Sequence, residues 1–206
     1  MVKCRAILLA LSALLVPGFL VPSDGSIVGS KHDFSRQGWS GGRICLPCHT
    51  PHNANTTLTN APLWNHAVTT ATYTLYSSDT LNAQLEQPSS SSRLCLSCHD
   101  GTVAIDSFGG QVGSRMVTGD ALIGTDLRGT HPISFEYTSS LANEDGGLWD
   151  PTSAPSGLGG TIETDLLIRG KVECSSCHDA HNKDGNEALL RIDNQGSALC
   201  LTCHDK

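Results

Sequence analysis

Four stretches of this chain set two thiols and an imidazole at one fixed spacing. They are Cys45-Leu46-Pro47-Cys48-His49, Cys95-Leu96-Ser97-Cys98-His99, Cys174-Ser175-Ser176-Cys177-His178 and Cys200-Leu201-Thr202-Cys203-His204. Two cysteines three residues apart can add to the two vinyl groups on one edge of a haem, and the histidine after the second thiol then ligates the iron from below. The pattern predicts four haem c groups, with His49, His99, His178 and His204 as proximal ligands. With 9 cysteines and 9 histidines in 206 residues, chance accounts for only about 0.02 copies. Zinc sites made from Cys-x-x-Cys pairs do not require a histidine after each second cysteine. Disulfides leave the same coincidence unexplained.

The remaining histidines decide what such haems can do. His32, His52, His66, His131 and His181 are the distal candidates, and Met116 is the one methionine outside the initiator. Five imidazoles for four irons predict bis-histidine ligation, low potentials and no open iron for substrate. That favours electron transfer over catalysis. His52 and His181 each lie three residues past a proximal ligand, in Cys-His-Thr-Pro-His and Cys-His-Asp-Ala-His. Three residues cannot carry the chain round to the other face of its own haem, so each must serve a different iron. For His181 the expected iron is the one at Cys200 and Cys203, only 22 residues beyond His178. For His52 it is the iron at Cys95 and Cys98, or one in a second subunit. Pro132 holds His131 in extended backbone that could present its ring to a haem. His66 follows Trp64, a flat side chain suited to packing on a haem. His32 stands near the start of the mature chain.

These motifs have to be delivered outside the cytoplasmic membrane, and the first residues read as an export signal. Lys3 and Arg5 precede an apolar run from Ala6 to Val21, which ends in a small-residue region. The expectation is a signal peptide over 1–25, cleaved before Ser26, with an uncleaved anchor as the alternative. Cys4 falls in that segment, and the other eight cysteines are all assigned to haem. Loss of Lys3, Arg5 and Asp24 takes the formal charge from −7 to −8. That sign disfavours nucleic acid and suits a partner with a basic docking face.

Residues 26–206 are expected to form a tetrahaem domain with about 45 residues per haem. Two lobes, 26–150 and 161–206, are suggested by the loop composition of 151–160. Aromatic residues are few, at Phe 4, Trp 3 and Tyr 3, so haem macrocycles would supply the large flat apolar surfaces of the core. The fold class expected is mostly irregular, with short α-helices and a few short strands arranged around four haems. Helix starts are expected at Ser92 and Ser197. Strands are expected over 72–76 and 133–137, with another within 166–173 leading into the third motif.

The four pentads, the extended forms ending at His52 and His181, and His131-Pro132-Ile133 together resemble the multihaem c-type cytochromes with doubled Cys-x-x-Cys-His motifs found in metal- and sulfate-reducing bacteria. The resemblance implies a haem-rich electron carrier. Some relatives of that kind are extracellular filaments in which a histidine of one subunit completes a haem of the next. It therefore implies redox partner proteins, self-assembly through His52, and a terminal acceptor such as a metal oxide or another cytochrome. A soluble periplasmic carrier, and an oxidoreductase of the nitrite or hydroxylamine type with one open haem, are the alternatives. No nucleic-acid partner and no membrane span after signal removal are expected.

Overall fold

The computed structural model describes residues 26–58 and 61–206. The export signal, its cleavage point and Cys4 lie outside the described residues. Among the described residues no helix is long and apolar enough to cross a membrane.

Regular structure is sparse. Among the described residues there are five short α-helices: α1 (Ser90–His99), α2 (Ser139–Asp145), α3 (Ile162–Asp165), α4 (Cys174–Cys177) and α5 (Ala198–Cys203). Two two-residue strands, β1 (Phe135–Glu136) and β2 (Lys171–Val172), pair antiparallel with Phe135 opposite Val172. They fall inside the expected 133–137 and 166–173 segments. The third expected strand, 72–76, is reduced to one bridge between Thr74 and Asp126. Many glycines between the elements take positive φ, a conformation that only a residue without Cβ adopts at no steric cost.

Local capping sets the helix ends. The cap of α1 is Ser89, three residues before the expected Ser92, which is buried inside the helix. Ser92 has another task there: its Oγ accepts the Cys174 N–H at 2.9 Å. Ser197 does occupy the cap of α5, without a side-chain bond. In α2 the Thr138 hydroxyl accepts from Leu141 N at 3.2 Å, and Gly146 at φ 67° stops the helix.

The main core cluster joins Phe135, Tyr137, Leu141 and Ala142 to Ile162, Leu166, Leu167 and Val172, so it draws on both sides of 151–160. Tyr137 anchors α5 to it, donating to Trp149 O at 2.6 Å with Cys203 O at 3.2 Å. A smaller cluster of Tyr73, Leu96 and Leu127 supports α1. There the Tyr73 hydroxyl donates to buried Asp100 at 2.6 Å. Helices α1 and α4 pack together, with Ser91 Oγ and Ser175 Oγ 2.6 Å apart. Beside that contact Glu173, 1% exposed, accepts from the Ser89 and Ser134 hydroxyls at 3.2 and 2.9 Å. The second and third pentads are thereby held side by side.

Candidate functional site

Each pentad is folded so that its three reactive side chains share a face. The histidine N–H bonds the carbonyl of the first cysteine at 2.8 Å in the first pentad and at 3.0 Å in the third and fourth. The second pentad forms the end of α1. Positions i, i+3 and i+4 of a helical turn lie on one side, so both thiols and the imidazole point the same way. All eight thiols are free.

Three proximal rings are oriented by peptide carbonyls. Nδ1–H of His49, His99 and His178 donates to Pro62, Ala121 and Ala188 at 2.6, 2.7 and 3.0 Å respectively. This fixes the tautomer and leaves Nε2 as the lone-pair donor, as metal-binding imidazoles require.

Three of the four proximal rings face a second histidine. His49 and His181 have ring centroids 6.1 Å apart with planes at 15°. His99 and His32 are 6.1 Å apart at 58°, and His204 and His131 are 6.2 Å apart at 74°. Two metal–imidazole bonds of about 2.0 Å each, extended by the ring half-widths, require centroids about 6 Å apart. The separation of each pair is the one that two imidazoles sharing an iron would have. Burial lowers His32 and His204 from the ordinary imidazole value, which keeps both rings neutral and able to ligate.

The surroundings also fit haem. Leu63, Leu122 and Ile123 are 58, 46 and 41% exposed beside the carbonyls that hold His49 and His99, an arrangement that a flat apolar ring would cover. The Trp64 Nε1–H is buried without an acceptor, and its ring stands edge-on to His49. A haem carboxylate would supply an acceptor for it.

The thiols follow one another in sequence order. Cys98 lies near Cys48, and Cys95 is in direct contact with Cys174. Cys177 lies near Cys200 and Cys203. Burial pushes Cys48 and Cys203 up to about 11 and Cys98 up to about 12. Within the coupled pair the Cys95 hydrogen bond lowers Cys174. Buried protonated thiols are poor nucleophiles, so these three are weakly reactive in the closed fold.

Not every expected residue goes where its spacing suggests. His181 lies beside His49 and not beside His204, whose place is filled by His131. The reason is local: a bridge from His178 to Leu190, with Asp179 N donating to Leu189 O at 2.7 Å, closes 178–190 into a loop with His181 near its tip. This part of the loop meets the N-terminal segment, where Asn182 donates to Ser26 O at 2.9 Å and His32 Nδ1 to Ala180 O at 3.3 Å. His66 is 2% exposed, and its Nδ1 and Nε2 face the carbonyls of Ala67 and Ala104 at 2.7 and 3.0 Å. No second histidine ring stands beside it. His52 is exposed and also stands alone. The ring of His178 faces no histidine among the described residues.

Loops 49–64 and 178–190 share one scaffold. His49 bridges Trp64 as His178 bridges Leu190. Thr50 N donates to Leu63 O, and Asn65 N to Cys48 O, where the second loop has Asp179 N to Leu189 O and Arg191 N to Cys177 O. Asn53 and Asn182 follow the outer histidines at φ 55° and 54°, and Leu63 and Leu189 match at 51° and 58°. Only the Cys-x-x-Cys-His-x-x-His spacing of this repeat is visible in the residues. The carbonyl acceptors carry no sequence signal, since any backbone offers one.

A family model described as doubled CXXCH motif matches residues 168–206, which hold the third and fourth pentads. No curated protein matches the chain. The matched segment carries c-type haem-binding motifs, and such motifs indicate covalent haem c and a multihaem cytochrome.

Proposed function

We propose that the chain is an exported tetrahaem electron-transfer protein in which three irons are ligated within the chain and the fourth by a second copy. His49/His181, His99/His32 and His204/His131 would hold the irons at Cys45/Cys48, Cys95/Cys98 and Cys200/Cys203. The iron at Cys174/Cys177 would take His178 from its own chain and His52 from a neighbour. A haem held at each site supplies one-electron exchange between Fe(III) and Fe(II). The residues orient the rings, exclude water from one side and keep successive pentads in contact.

The observation that carries this reading is the pairing itself: three proximal histidines have a partner about 6 Å away, while His178 has none and His52 is left over. The repeated loop makes the exchange reciprocal. The tip of 178–190 serves the haem of loop 49–64 inside the chain, and the tip of 49–64 would serve the haem of loop 178–190 across an interface. Such a contact is head-to-tail and continues as a filament unless its rotation closes a ring. Electron transfer then runs through the assembly, with other redox proteins or an extracellular acceptor at its ends.

A second reading rests on the same lone His178. If that iron stays open, it is a substrate site of the kind an oxidoreductase needs. The two are separated by magnetic spectroscopy of holoprotein containing four haems, recorded dilute and assembled, with negative-stain microscopy alongside. Shared ligation gives three low-spin haems per dilute monomer and four on assembly. A monomer that keeps one CO-reactive haem at every concentration supports the open site, and a monomer with four low-spin haems supports the soluble periplasmic carrier.

A further inference from the structure

We infer that Asp179 is a positioning residue that lowers the reduction potential of the haem at Cys45/Cys48 by placing a carboxylate against its distal ligand, His181; this rests on the ligand pairing proposed above. Asp179 Oδ1 lies 3.5 Å from His181 Nδ1. Among the described residues no other ligand-type histidine has a carboxylate oxygen within 4.0 Å of a ring nitrogen. The rings of His32, His49, His99, His131 and His178 give Nδ1 to the neutral carbonyls of Ala180, Pro62, Ala121, Pro132 and Ala188. A negative charge at Nδ1 makes the imidazole a stronger donor and favours Fe(III), and outer partners of this kind are among the levers that set haem potential.

The repeat shows that the carboxylate is not needed to build the turn. Asp179 accepts the His181 and Lys183 N–H groups at 2.9 and 2.8 Å. The equivalent position in the other loop is Thr50, whose hydroxyl accepts from His52 N at 3.4 Å and supports the same left-handed Asn. A neutral side chain therefore suffices for the fold, and the charge is an addition peculiar to the loop whose histidine meets a proximal ring of its own chain. The Asp179 side chain is 22% exposed and that of His181 66%, so water screens the pair in part and the expected shift is modest. In the series of pentads this haem stands at one end, and a lowered potential there biases electrons toward the other three.

The test compares Asp179→Asn, Asp179→Thr and Asp179→Glu holoproteins with wild type by potentiometric titration followed by electron paramagnetic resonance. The His49 and His181 planes are nearly parallel, which gives a rhombic low-spin signal distinct from that of the steeply crossed His131/His204 pair. The Asn and Thr variants should retain four haems and move one potential upward, that of the rhombic signal, whereas the Glu variant should stay near wild type. Asp184→Asn, which removes a charge without a ligand contact, should move none selectively. Unchanged potentials in the Asn and Thr variants, or equal shifts in the Glu variant, overturn the inference while the ligand pairing stands. A wild-type protein lacking the rhombic signal overturns the pairing and the inference together.

Discussion

Loops 49–64 and 178–190 are built on the same hydrogen bonds and the same left-handed Asn, yet their outer histidines meet different fates. Both are exposed, but His181 lies 6.1 Å from the ring of His49, while His52 has no histidine ring beside it among the described residues. The scaffold is common because it depends on local geometry: a pentad turn, a bridge and a carbonyl to hold the proximal ring. The destination depends on what packs against the tip, and only the second tip has Ser26 and His32 to meet. Spacing thus dictates that a histidine three residues past a proximal ligand leaves its own haem. It does not dictate where the histidine goes.

Four substitutions can break or sharpen this contrast. The largest effect is expected for His181→Ala, which should leave four haems attached but open the iron at Cys45/Cys48 in every molecule at any concentration, read as one high-spin, CO-binding haem. If the opened iron were instead that at Cys200/Cys203, the pairing with His49 would be wrong. His52→Ala should leave the spectrum of dilute monomers unchanged and abolish assembly, seen by sedimentation and microscopy. Filaments that persist in this variant would place the joint elsewhere. His66→Ala should keep the ligation state of every iron and lower stability by about 1–3 kcal/mol, because a buried ring is removed and one of the Ala67 and Ala104 carbonyls loses its imidazole donor. A newly opened iron in that variant would restore His66 to the ligands. Tyr73→Phe should cost about 1 kcal/mol in denaturant titration with no spectral change, since it removes only the bond to Asp100 beneath α1.

The four Cys-x-x-Cys-His pentads were legible in the residues because covalent haem chemistry demands one spacing, and the doubled-motif match covers the third and fourth of them. The scarcity of regular structure followed from the same chain: many glycines, few aromatics and no sustained periodicity. Which histidine rings stand beside one another was not legible. His131 and His204 meet because Tyr137, Trp149 and the core of α2 and α3 hold α5 in place, a long-range arrangement that no local pattern encodes. His66 has a ligand's residue type and a ligand's neighbour in Trp64, but its ring lies between the Ala67 and Ala104 carbonyls and 3.5 Å from Cys98 Sγ, contacts that no spacing announces. Ser92 looks like a cap, but packing of α1 on α4 recruits its hydroxyl for Cys174 and moves the helix start to Ser89.

Closed through iron, the three histidine pairs make the chain a set of overlapping staples. The loop from His32 to His99 contains residue 49, the loop from His49 to His181 contains residue 131, and the loop from His131 to His204 reaches almost to the last residue. Two of them span exposed Leu158 in the 151–160 segment. A protease cut there would sever the backbone without releasing either piece, because two coordination links and the shared core of α2 and α3 still join them. Thiol reductants would not separate the pieces, since thioethers are not reduced. Excess free imidazole in denaturant would, by taking the places of His181 and His131.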